Sequence, residues 1–315
     1  MEPHIGKNKK DHFRYYFVLL LDIMGQKEQL EKWSQLQPDG SVTAEMMEGI
    51  KGSLGQVLRL RGDFLQLFTS VTLGTQQCTP RSLIALNIPA GRDRERYNTI
   101  SAPEIKLLHF SDMLIAYAPA HVGPGSDWNV QALHAILVSV CTLIPSFLAR
   151  RIPLRGAICI GTGVEAEEIG FYGPALSEAH GLESWVADYP RIVISDPLRE
   201  VIQSCPAEQA TVAEQYVRML FGLCRSLVTQ DTDGRTIVDY LGVGSRELLR
   251  NSENLDSVQV DFVAKAHEFA TKEAERLCIA KTTGSEPREK SRTSPAEKYT
   301  RLKDYFDSRM TNWRK

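Results

Sequence analysis

Residues Tyr15 to Leu21 read YYFVLLL, an apolar run of strand length with no polar interruption, and it stops on Asp22. Successive side chains of a strand point to opposite sides, so a run without alternation predicts a strand covered on both faces, central in its sheet. The chain must then supply helices above and below that strand, and 315 residues are enough to bury such a core. The carboxylate that ends the run is the exception to its chemistry. A charge in that setting costs several kcal/mol to desolvate unless something compensates it.

The rest of the chain alternates helical and strand patterns. From Gly25 to about Thr69, apolar residues at helical spacing, among them Met46, Met47, Ile50, Leu54, Val57, Leu58, Phe64, Leu65 and Phe68, predict helical cover with these side chains on one face. Residues 70 to 103 lack a period and read as a long excursion outside the core, with Arg92, Arg94 and Arg96 in a mixed charge run that fits a solvated loop or a lid over phosphate. Ile105 to Pro119 reads as a β-hairpin with Ser111-Asp112 at its tip. A helix follows over about 127–150, then a strand at Leu154 to Gly161, a turn at Gly161-Thr162-Gly163, and a helix over Pro174 to Ala187. A strand at Arg191 to Ser195, helices from Pro197 and around Ala210 to Leu223, and a hairpin over Thr229 to Leu241 complete the series. Beyond Gly244 the pattern is helical, with a polar linker over 282–296 and a short helix at Asp304 to Trp313. The organisation is therefore a basic arm over 1–12, one α+β domain over 13–243 and a helical extension over 244–315.

Three features carry chemistry. After Asp22 the chain turns through Ile23-Met24-Gly25-Gln26 into a helical pattern, and the N–H groups of a helix start favour phosphate. A carboxylate beside such a turn repels its ligand unless a cation lies between them, which points to Mg²⁺ or Mn²⁺; the bland alternative is an N-cap. Asp112 is a second carboxylate in an apolar setting, at a hairpin tip where strand ends bring it toward Asp22, although taken alone it is explained more simply by a plain Ser-Asp turn. Two carboxylates are able to share two metals about 4 Å apart. The third feature is Ile152-Pro153-Leu154-Arg155-Gly156-Ala157-Ile158, followed by Gly161 and by Gly170-Phe171-Tyr172-Gly173-Pro174-Ala175-Leu176-Ser177-Glu178-Ala179, then Leu182-Glu183. A guanidinium emerging from a strand at Arg155 suits bidentate contact with phosphate, or else an ion pair with Glu165, Glu167 or Glu168.

In this order of motifs the chain resembles the catalytic domain of class III nucleotide cyclases over about residues 13–241, and among them the stand-alone pyrimidine cyclases of the bacterial Pycsar anti-phage system. The resemblance implies a ferredoxin-like βαββαβ sheet covered by helices, with Asp22 and Asp112 as metal aspartates and the Ile23 carbonyl completing one metal shell. It implies two Mn²⁺ or Mg²⁺ ions per site and a triphosphate cradled by the backbone of Met24, Gly25 and Gln26. It also implies a head-to-tail homodimer with sites at the interface. The chain departs from purine cyclases at Leu108, where they carry a polar base-reading residue, and at Ser177 and Gly181, where they carry an Asn and an Arg. Either another Arg substitutes for that Arg, with Arg155 the first candidate, or catalysis is lost; Phe17, His109 and Tyr172 are the aromatic candidates for bordering the base. Loss of the purine readers fits UTP, with CTP second, as substrate; the resemblance further implies a cyclic nucleotide product read by a separate effector protein during phage infection.

A formal net charge of -2 offers no field to gather nucleic acid or anionic membrane. No stretch reaches the roughly 18 uninterrupted apolar residues of a membrane span, and Ala132 to Leu148, broken by His134 and Pro145, reads as a buried helix. Six scattered cysteines with no CxxC pair, and no signal-peptide pattern at the start, predict free thiols and a cytoplasmic setting.

Overall fold

The computed structural model describes residues 13–26, 30, 40–77, 91–123, 127–166, 170–204, 211–250, 253–283 and 293–313. The apolar run forms β1 (Arg14–Ile23), and its residues Tyr16 to Leu21 are buried. It is flanked by β3 (Met113–Pro119) and β6 (Leu154–Ala166), both antiparallel to it. The remaining strands are β2 (Lys106–Phe110), β7 (Gly170–Tyr172), β8 (Ile192–Ile194), β9 (Val228–Gln230) and β10 (Thr236–Val238), while β4 (His121–Val122) and β5 (Asp127–Trp128) form a separate small hairpin. The main sheet runs β2-β3-β1-β6-β8-β10-β9, with β7 folded back on β6. It is mixed, because β6 and β8 pair in parallel.

Alternation along β1 divides the core. Phe17, Leu19, Leu21 and Ile23 enter the larger cluster, shared with Leu60, Phe64 and Phe68 of α1 (Ala44–Gln77) and with α3 (Val130–Ala149). Tyr16, Val18 and Leu20 enter the smaller one, where Phe171 stacks on Tyr117 with ring centres 4.5 Å apart and Ala175 and Ala179 bring in α4 (Pro174–Trp185). Helices thus cover both faces of β1, as its unbroken hydrophobicity requires. Helix α3 is long and apolar enough to cross a membrane, yet it is packed inside this core.

Where it is described, the segment read as an excursion is largely helical. α1 continues to Gln77, and residues 92–101 form α2 (Arg92–Ser101), which buries Tyr97 and Ile100. The charge run misled because its last arginine is used internally. Arg96 Nη2 lies 2.6 Å from Asp127 Oδ1 and Nη1 3.0 Å from Glu214 Oε1, so the arginines sit on a docked helix, not a lid. The apolar residues of α1 also do not share one environment: Phe64 and Phe68 are buried, whereas Met47, Ile50, Leu54, Leu58 and Leu65 are exposed on a flank the sheet does not cover. The expected turn at Gly161-Thr162-Gly163 is continuous strand. A Cβ on Gly163 would stand 2.4 Å from the ring of Phe171, so this glycine reports close packing and not a change of direction.

After β8 come α5 (Asp196–Gln203) and α6 (Val212–Ser226), and after β10 come α7 (Val243–Arg250), α8 (Glu253–Thr282) and α9 (Pro295–Arg309), which ends in a 3₁₀ turn at Met310–Trp313. These last helices share the main core: Val263, Ala266, Leu302, Phe306 and Trp313 belong to the same cluster as Phe17. Trp313 Nε1 donates to the Leu241 carbonyl at 2.9 Å and the Tyr305 hydroxyl to Asp239 at 2.9 Å, fastening the C-terminus to the end of β10. Cys141, Cys159 and Cys224 are buried free thiols and Cys278 an exposed one; Cys78 and Cys205 lie outside the described residues, as do the 1–12 arm and most of the 282–296 linker.

Candidate functional site

Register builds the site. In β1, Asp22 stands opposite Arg155 of β6 on one side and opposite Met113 of β3 on the other. Residues directly opposite in antiparallel strands project to the same face, so the Asp22 and Arg155 side chains meet. Arg155 Nε donates to Asp22 Oδ2 at 3.1 Å. Gly156 permits the approach, since a Cβ there would fall 2.1 Å from the Leu20 carbonyl oxygen of β1. Asp112 precedes Met113 at the tip of the β2–β3 hairpin, where Ser111 takes a φ of 56° and the two residues close the loop. This brings the second carboxylate to the end of the strand that carries the first. Among the described residues the Asp112 carboxylate has no hydrogen-bond or ion-pair partner.

A third carboxylate, Glu183, completes the group. On α4 the buried residues are Ala175, Ala179 and Glu183, spaced by four, so one face of the helix follows β6 and lowers Glu183 onto Arg155. Arg155 Nε is 2.7 Å from Glu183 Oε1. The contact is ionic only: the single N–H of Nε points at Asp22, and buried Oε1 accepts no hydrogen bond. Burial pushes the Asp22 pKa up to about 7; Arg155 pulls the other way, and the charges of Glu183 and Asp112 add to the rise. Asp22 is thus a largely buried carboxylate short of positive charge even with a guanidinium beside it.

Arg155 pairs with Asp22 and Glu183, and Glu165, one of its expected partners, pairs with Lys106 instead; Glu167 and Glu168 lie outside the described residues. Ile23 ends the strand with its side chain in the core. In the turn beyond it, Gly25 has a φ of 84°, but the Met24 N–H is already spent on the Pro153 carbonyl at 2.9 Å, so this donor is not free for phosphate. The Gln26 side chain is buried, accepting from Ser53 and donating to Gln56 Oε1 at 2.5 Å, which ties the turn to α1.

The aromatic candidates do not join this group. Phe17 is fully buried on the opposite face of the sheet, stacked near Trp128, and five residues of strand, about 16 Å, separate it from Asp22. His109 registers with Leu114, on that same opposite face, where burial and the charge of Arg61 hold its pKa low. Tyr172 is exposed and registers with Val164, beyond the β6 residues that pair with the start of β1 and so at the far end of the sheet from Asp22. Alternation was the signal available for Phe17 and His109: each is an odd number of positions from the side chains that face Asp22. Ser177 is exposed on the outer side of α4, away from Arg155.

Glu183 is the residue that sequence reasoning missed. It lies at the end of the motif, and its spacing of four from Ala179 and eight from Ala175 already put a charge on the apolar face of a helix. No protein-family model matches the chain, and a search of curated proteins returns no matching relative.

Proposed function

We propose that this chain is a nucleotide cyclase of the class III kind, converting a pyrimidine nucleoside triphosphate, UTP first and CTP second, to its 3',5'-cyclic monophosphate and diphosphate. The observation that carries the reading is the convergence of Asp22, Asp112 and Arg155 at one end of three adjacent strands. The order β2-β3-β1-β6, with helices joining β1 to β2 and β3 to β6, supports a ferredoxin-like βαββαβ core. The first three strand pairings of that core are all antiparallel, as such a core requires.

Divalent metal fits the residues. Asp22 is a largely buried carboxylate whose one counter-charge, Arg155, is shared with Glu183, and the Asp112 carboxylate has no partner among the described residues. Among the described residues no three His, Cys, Asp or Glu side chains form a cage, and on this reading the remaining ligands are the Ile23 carbonyl, phosphate oxygens and water. Asp22 and Asp112 would hold two Mn²⁺ or Mg²⁺ ions, which when bound would lower the pKa of the ribose 3'-hydroxyl and neutralise the departing diphosphate. Arg155, whose Nη groups have no partner among the described residues, neutralises phosphate oxygens as the 3'-oxygen displaces diphosphate in line from the α-phosphorus. The backbone beyond Ile23, at Gly25 and Gln26, orients the triphosphate. Ser177 faces outward, so it serves the site of a second copy in a homodimer. The cyclic product, on this reading, is a signal for a separate effector in anti-phage defence.

A second reading, a silent nucleotide sensor with the same fold, draws on Ser177 and Gly181 and on the engagement of Arg155 by two carboxylates. Incubating the protein with each of the four ribonucleoside triphosphates and Mn²⁺, with products identified by mass spectrometry, separates them. Cyclic UMP or cyclic CMP with diphosphate is expected. Binding without a cyclic product means the sensor, cyclic AMP or cyclic GMP as main product rejects the pyrimidine assignment, and neither binding nor product rejects both readings.

A further inference from the structure

In the arrangement around Arg155 one acceptor is left over. Glu183 is 2% exposed; its Oε2 accepts from Ser184 Oγ at 2.7 Å, while Oε1, buried and without a hydrogen bond, lies 2.7 Å from Arg155 Nε. The guanidinium meanwhile gives its Nε hydrogen to Asp22 at 3.1 Å, the longer of the two contacts. A buried acceptor without a donor is unfavourable, and a small rotation of the guanidinium about its side chain would satisfy it. That rotation releases Asp22.

We propose that Glu183 is a positioning residue that takes over Arg155 when Asp22 turns to a divalent cation, so that the partly buried arginine keeps a counter-charge and Asp22 is freed at little cost. The inference rests on the cation-binding reading of Asp22. Asp22 has an internal counter-ion, Arg155, which competes with metal for it; Glu183 is the second seat that makes the exchange possible. Once shifted, the guanidinium keeps one carboxylate partner through Nε and presents its Nη groups to phosphate. Without the Glu183 charge, Arg155 has Asp22 as its one anionic partner among the described residues and holds it harder.

A double-mutant cycle on Mn²⁺ affinity, read from the free-ion signal in electron paramagnetic resonance at constant pH, tests this with the full chain. Wild type, Glu183→Gln, Arg155→Met and the double variant are compared, with metal-free melting to establish that each is folded. Glu183→Gln is expected to weaken Mn²⁺ binding about tenfold, in line with outer partners of metal ligands. In the Arg155→Met background the same change is expected to have no effect, because the competitor is gone. An equal loss in both backgrounds would show that Glu183 merely adds negative field, and no loss in either would show that it is structural; either overturns the inference while leaving the cation reading in place. Absence of Mn²⁺ binding by wild type would remove that reading and this inference together. Should Glu183→Gln not fold, Glu183→Asp, which keeps the charge but withdraws it from Arg155, takes its place in the cycle with the same expected pattern.

Discussion

At the scale of the residue, the molecule is governed by how few compensating charges reach buried ionisable groups. Asp22 is raised to about 7 by burial, so between an unfolded carboxylate near 3.9 and that value the folded protein holds the extra proton. Its contribution to stability is therefore full below about pH 4 and is lost as pH rises through about 7, by at most about 1.4 kcal/mol per unit. Asp22→Asn should abolish that decline, seen as a flatter urea midpoint against pH in metal-free protein; an unchanged slope would mean that Asp22 is ionised throughout. His134 has the opposite sign. It is fully buried in α3, neither ring nitrogen has a partner among the described residues, and burial lowers its pKa to about 4. Its contribution is lost as pH falls from about 6.5 toward 4, so the gain in stability from His134→Leu should grow as pH falls through that window, by at most about 1.4 kcal/mol per unit, relative to its effect at pH 8. Neither group is paired by anything a sequence pattern records. Asp22 was legible because a charge ended an apolar run, whereas the Arg155 partners were not, since pairing Asp22 with a residue 133 positions away requires the register of β1 on β6.

At the scale of the element, the cause of each helix and strand is local but its orientation is not. The β1 run and the Ser111-Asp112 hairpin were readable because period and turn chemistry act over a few residues. The environment of α1 was not, since a broad apolar arc does not say which flank meets the sheet. Phe64→Ala should cost about 3 to 5 kcal/mol, whereas Leu58→Lys on the exposed flank should change stability by less than about 0.5 kcal/mol; equal losses would contradict the packing of α1. The β9–β10 hairpin shows a different case. Its Asp231 and Asp233, two apart in an Asp-Thr-Asp-Gly loop, both bind the guanidinium of Arg191, which is 2% exposed and lies over the Tyr189 ring. An internal arginine sits where such a loop would otherwise present its carboxylates to a cation. Arg191→Met should therefore destabilise by about 3 to 5 kcal/mol, by leaving Asp231 buried without its counter-charge, and adding Asp231→Asn should recover part of the loss.

At the scale of the whole molecule, the C-terminal helices are not an appendage. Leu302, Tyr305, Phe306 and Trp313 lie in the same core as β1, and Tyr305 and Arg309 both reach Asp239. A chain ended after residue 243 should lose cooperative unfolding, and Trp313→Ala should cost about 3 kcal/mol, measured by thermal melting. The sequence showed a helical extension but not its docking, because contact between elements so distant in the chain leaves no local pattern. What the fold does with this packing is hold two aspartates and an arginine at adjoining strand ends, and the proposed chemistry depends on that juxtaposition attracting metal. Anomalous scattering from crystals grown with Mn²⁺ and a non-reactive UTP analogue measures it directly. The account predicts two manganese peaks about 4 Å apart, both within bonding distance of Asp22 and Asp112; manganese bound elsewhere, with Arg155 still on Asp22, would contradict it.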